Sequence, residues 1–243
     1  MVLLLPTLVF AAKAMTAVAD VCPVNHTDIR VTQKIDEPRL DFSKTAAQLK
    51  AMKFNQPVSD LGFAETTGLT EHSIAVDSEI RIASSGTPSS ASASSDPGET
   101  PLCVWPTVIT VTLSTAPTIY IASDDGDCRH ATALAHEMQH AAIDRGIIAR
   151  YIPIFRSRLA TMVDAMSAAA PDVALDIDAR RSRIEEKINA MIAVTSEVMN
   201  ADQVAQQREL DSPEEYRRRS NACPMVTFNQ VQPGSGGVRP PGS

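Results

Sequence analysis

Residues 133–146 read ALAHEMQHAAIDRG and hold two histidines four apart, His136 and His140, with Glu137 directly after the first. Four residues are a little more than one helical turn, so on a helix both imidazoles share a face and can take two corners of a tetrahedral metal site. Glu137 then stands beside them, within reach of a water on that metal. The neighbours Leu134, Ala135, Ala141, Ala142 and Ile143 are small or apolar, which suits a helix that is buried, as a metal-bearing one must be. The opposing reading is a chance pair of surface histidines.

The chain around this helix is consistent with an α+β fold, in which a small, mostly antiparallel sheet packs on the HExxH helix and a long helical hairpin follows. Residues 26–35, HTDIRVTQKI, and 72–83, HSIAVDSEIRIA, read as strands, and 41–52, DFSKTAAQLKAM, as a short helix capped by Ser43. Between Cys103 and Cys128 apolar Ile109, Val111 and Leu113 alternate with Thr110 and Thr112 before a turn at Ser114–Pro117, a pattern expected of a hairpin. From Cys128 almost to Leu210 the pattern is helical, kinked near Pro153 and broken at residues 168–172. Phe155, Leu159, Met162, Val163 and Met166 form one apolar stripe, and Ile184, Ile188, Met191, Ile192, Thr195 and Met199 a second, which should face each other.

The ends and one internal stretch read differently. Residues 1–19 carry an apolar run from Val2 to Ala12 and then Ala17-Val18-Ala19, the small-x-small pattern of a signal peptide cleaved after Ala19, the alternative being a buried N-terminal helix. The Ser-rich stretch 84–100 has little to bury and is expected to be a mobile loop, and 230–243 a disordered tail. What lies between, 20–229, reads as a single domain. Secretion or a periplasmic location follows from the signal peptide, and no later apolar run is long enough for stable membrane insertion. Four cysteines in an exported chain suggest two disulfides. The hairpin register sets Cys103 opposite Cys128, leaving Cys22 for Cys223.

Composition narrows the function. Aromatics are only 4% against 44% hydrophobic residues, so the core must be built from aliphatic side chains, as in packed helices. The net charge of -7, with the arginines of RRSR and YRRRS beside acids, excludes a nucleic-acid footprint. The oligomeric state is not written in the sequence.

The motif HExxH, at His136–His140, resembles that of the zincin metallopeptidases. More loosely, CRHATALAHEMQH and LDSPEEY resemble segments of uncharacterised exported bacterial proteins grouped as zinc-dependent proteases. The resemblance implies zinc held by His136 and His140, Glu137 as general base, a peptide or protein substrate, and an edge strand that binds it. TIYIASD, just before the helix, is the segment that would be that edge strand. An oxyanion donor is also required, and Tyr216 or an arginine of YRRRS could serve.

The third ligand is open. The metzincin extension fails, because Ile143 and Gly146 stand where a glycine and a ligand are needed. Asp144 lies one turn further along the ligand face, too far on a straight helix to share one ion, and reads as a supporting group or an ion-pair partner of Arg145 or Arg180. If the hairpin folds near Pro171, the histidines meet the region of Asp202 to Gln206, with Glu209 and Asp211 just beyond. Asp211 or Ser212 also reads as the cap of a helix starting at Pro213, and for Asp211 the cap outweighs the ligand. His130 is off the ligand face, and Glu185 and Glu186 lie too far along the second helix. Two function classes result: an exported zinc peptidase, or a non-catalytic exported helical binding module with a degenerate motif.

Overall fold

The computed structural model describes residues 26–52, 66–85, 103–168 and 176–223. The expected signal peptide, the Ser-rich stretch beyond Ser85, the C-terminal tail and residues 169–172 of the helix break lie outside them. In chain order the elements are β1 (Asp28–Ile35), β2 (Arg39–Asp41), α1 (Ala46–Met52), β3 (Gly68–Glu71), β4 (Ala75–Ser85), β5 (Cys103–Thr115), β6 (Thr118–Ile121), α2 (Asp127–Ala168), α3 (Ile177–Leu210) and α4 (Pro213–Ala222). The class is α+β, with α2 and α3 as the long helical hairpin.

The strands form two three-stranded sheets, β1-β5-β4 and β2-β6-β3, rather than one. The second is mixed: β6 runs parallel to β2 and antiparallel to β3, with Ile119 opposite both Leu40 and Thr70. The expected hairpin between β5 and β6 does not form. A strand has two hydrogen-bonding edges, and those of β5 are occupied by β1 and β4 while those of β6 are occupied by β2 and β3. The turn at Ala116-Pro117 therefore carries the chain from one sheet to the other.

This removes the register that set Cys103 opposite Cys128. Cys128 is joined instead to Cys223, with 5.9 Å between their Cα atoms. Cys103 is oxidised as well, and Cys22 lies outside the described residues.

The described residues divide into two compact units, one drawn from those within Met1–Arg30, Ser78–Thr110 and Arg156–Met191 and the other from those within Val31–Asp77, Val111–Phe155 and Ile192–Ser243. In the first, Ile109, Leu159, Val163 and Ile188 are buried, Thr27 donates to the carbonyl of Pro106 at 2.7 Å, and Thr107 to that of Arg81 at 3.1 Å. The second is organised around β6, whose side chains alternate in use. Ile119 and Ile121 pack with Ala133 and Leu134 of α2, while Tyr120, together with Ala122 just past the strand, packs with Leu49 and Ala46 of α1 and Leu69 of β3. The sheet thus packs on the helix bearing the histidines.

The starts of α1, α3 and α4 have a chemical reason. The cap of α1 is Thr45, not Ser43: Thr45 and Gln48 bond reciprocally as a capping box, while the Ser43 hydroxyl donates to Asp41. Asp176 accepts from the amide of Ala179 to begin α3, and Ser212 accepts from that of Glu215, with Pro213 in the first turn, to begin α4. Of the apolar stripes, Phe155, Leu159 and Val163 on α2 and Ile188, Ile192, Thr195 and Met199 on α3 are buried, while Met162, Met166, Ile184 and Met191 are half-buried. No helix among the described residues is long and apolar enough to cross a membrane.

Candidate metal centre

Three features of the second unit bring the donors together. On α2 the residues 136, 137, 140 and 144 fall on the buried side at helical spacing, with His136 2%, Glu137 5% and His140 6% exposed. Beyond Leu210 the amide of Asp211 still bonds the carbonyl of Gln207 at 3.0 Å, and that of Ser212 the carbonyl of Glu209 at 3.2 Å, before α4 begins. Because Ser212 caps α4, the Asp211 carboxylate is free to turn to α2. The Cys128–Cys223 bond ties the far end of α4 to the start of α2.

The result is a triangle of donor atoms. His136 Nε2 and His140 Nε2 are 3.1 Å apart, and Asp211 Oδ1 lies 3.1 Å from the first and 3.3 Å from the second. Tetrahedral zinc with bonds of 2.0–2.1 Å holds neighbouring donors about 3.3 Å apart, so the three atoms have the size of one coordination face. His136, His140 and Asp211 form the group able to hold a metal ion among the described residues. The far nitrogen of His136, Nδ1, is buried without a hydrogen-bond partner among the described residues, and the Glu215 carboxylate lies 3.9 Å from it.

Burial and charge oppose each other in this cluster. Burial would raise the Asp211 pKa, but the hydrogen bonds from His136 and His140 and the charge on both rings outweigh it and hold the carboxyl well below the usual range. Burial disfavours the charged form of His140, yet Asp211, Glu137 and Gln207 together raise its pKa above the ordinary histidine value.

Glu137 is held separately from the triangle. The Thr70 hydroxyl donates to its Oε2 at 2.8 Å, and Gly68 of β3 lies so close that a Cβ there would come within 2.7 Å of Oε1. Gly68, Thr70, His72, Glu137, His140 and Asp211 line a common cavity of about 300 Å³. The ring of Tyr216 stands 6.3 Å from that of His136. Burial, with the Asp211 and Glu137 carboxylates nearby, pushes its phenol pKa well above the ordinary value.

The remaining candidates are placed elsewhere. Asp202 pairs with Arg150 at 2.8 Å, Glu209 is exposed on α3, and Glu185 and Glu186 are exposed further back along it. Asp144 is fully buried but pairs with neither Arg145 nor Arg180. It accepts from the side-chain amides of Gln203 at 2.7 Å and Gln207 at 2.9 Å, while Arg145 pairs with Glu37. Among the arginines of YRRRS, Arg217 and Arg218 are engaged by Glu214 and Glu215, and Arg219 stacks over Tyr216. β6, expected to be a substrate-binding edge, is the middle strand of its sheet, and β3 is the edge strand beside Glu137.

Sequence reasoning missed Gln203, Gln207 and His72. The signal for the glutamines was present, since they continue the buried stripe of Thr195 and Met199 at the same spacing of four. Comparison with protein-family models, with curated proteins and with solved structures finds no match for the chain.

Proposed function

We propose that the protein is an exported zinc-dependent peptidase whose metal is held by His136, His140 and Asp211. The observation that carries this reading is the donor triangle, with sides of 3.1, 3.1 and 3.3 Å, formed by two histidines of α2 and an aspartate that lies 75 positions after the first of them. A zinc ion there would supply a Lewis acid that acidifies a water and polarises a carbonyl. The chain's own residues do the rest. Glu137 accepts the proton of the attacking water and returns it to the departing amine. Thr70 and Gly68 fix the direction of that carboxylate. Tyr216, kept protonated by its raised pKa, donates a hydrogen bond to the carbonyl oxygen as charge develops on it. An extended substrate lies along the edge of β3, where backbone groups and the donor cavity adjoin.

The zincin resemblance supports this through His136, Glu137 and His140. The Cys128–Cys223 bond supports export, because disulfides persist in oxidising compartments. The test is cleavage of an unfolded protein by zinc-loaded material at neutral pH. Glu137→Gln should retain zinc and lose turnover about 10²–10⁴-fold. Full zinc with no cleavage in the wild type would instead make the chain a metal-stabilised binding module.

A further inference from the structure

A glutamine amide in a helix core is costly unless its oxygen and nitrogen are both bonded. The Gln207 amide is bonded on both sides, and the identity of its partners determines a proton position. Its Nε2 lies 2.9 Å from Asp144 Oδ1 and 3.1 Å from the backbone carbonyl oxygen of His140. The carbonyl oxygen can only accept, so the NH2 group must face these two atoms. The amide oxygen then faces the other way, where it meets His140 Nδ1 in a short contact. An amide oxygen also can only accept, so Nδ1 carries a proton.

A neutral imidazole has one proton. With Nδ1 protonated, Nε2 of His140 presents its lone pair, and Nε2 is the atom 3.1 Å from His136 Nε2 and 3.3 Å from Asp211 Oδ1. We infer that Gln207, locked by Asp144, is a positioning residue that selects the metal-ligating tautomer of His140 and aims its ring. Gln203 completes the lock from one turn earlier on α3. Its Nε2 donates to the same Asp144 oxygen at 2.7 Å and lies 3.2 Å from His72 Nδ1. The inference rests on the metal reading above for its purpose, though the proton position follows from the amide alone.

A polar cluster that merely pins α2 to α3 would contain the same residues, so the experiment must separate the two roles. Gln207→Leu keeps the volume and removes the acceptor. The affinity of the folded protein for zinc, measured by competition with a chelator, should fall about 10–100-fold. Gln207→Glu alone keeps an acceptor for Nδ1 but sets it against Asp144, and should also weaken binding. Combining it with Asp144→Asn restores a donor facing an acceptor and should recover most of the affinity. Nitrogen-15 spectra of the metal-free wild type, at a pH where His140 is neutral, should show the Nδ1-protonated form, and Gln207→Leu should mix the tautomers.

Wild-type zinc affinity in Gln207→Leu, or an Nε2-protonated His140 in the wild type, would overturn the inference. A wild type that binds no zinc would overturn the metal reading, whereas the nitrogen spectrum would still decide whether Gln207 sets the tautomer.

Discussion

The carboxylate of Asp211 faces two imidazole nitrogens, Nε2 of His136 at 3.1 Å and Nε2 of His140 at 3.3 Å, so its ionisation and that of His140 are linked. The folded pKa of His140 is raised, so its contribution to stability is complete below the ordinary histidine value near ~6.5 and is lost as pH rises through the raised one. That of Asp211 is depressed, so its contribution is present above the ordinary carboxylate value near ~3.9 and is lost only as pH falls through the depressed one. The melting temperature of metal-free protein is therefore expected to be highest between these ordinary values and to fall as pH rises beyond the upper one. Stabilisation by added zinc should grow over the same rise, since ligating imidazoles must be neutral. Thermal melts from pH 5 to 9, with and without zinc, check both slopes, and Asp211→Asn should flatten both. A metal-free melting temperature that climbs through this interval would contradict the assignment. At this scale the sequence was partly legible: HExxH gave three positions and the hairpin count brought Asp211 into range. What the sequence left open was which of Asp211 and Ser212 is the cap; in the structure it is Ser212, and Asp211 turns to the histidines.

Among the elements, β3 and the α2–α4 tie do most to shape the site. Gly68 leaves the space that the Glu137 side chain fills, so a methyl group there must displace it. Gly68→Ala is expected to leave zinc content unchanged and to lower turnover by about a hundred-fold, the order of effect that a displacement near 1 Å can have; lost zinc would show that β3 supports the ligands instead. The Cys128–Cys223 bond closes a separation of 95 residues, and removing it with Cys128→Ser and Cys223→Ser together should cost about 2–5 kcal/mol of stability. Because that bond also holds α4 against the start of α2, zinc affinity of the variant that remains folded should fall, which a chelator titration reads directly. Unchanged affinity would mean that Ser212 and α3 alone place Asp211. The helices were legible because a stripe at a spacing of three and four has one reading. The β5–β6 hairpin was not, because alternation along β5 shows which side chains share a face and says nothing of which strand takes each edge. The cysteine pairing rested on that hairpin and failed with it.

For the molecule as a whole, the metal reading joins segments that the sequence keeps far apart: β3, the first half of α2, the last turns of α3 and α4, all in one compact unit. The fold class could be read from the order of patterns along the chain, whereas the division into two units and two sheets could not, since β5, α2 and α3 each run through both units without a break in composition. The account depends on one ion binding where these segments converge. The most direct measurement is zinc per chain by elemental analysis of the purified, oxidised protein after dialysis, for the wild type and for Asp211→Ala. The account expects one zinc per wild-type chain and a loss of zinc in Asp211→Ala while the protein remains folded. A wild type without zinc whose melting temperature does not respond to added metal, or an Asp211→Ala variant that still holds a full equivalent, would contradict it.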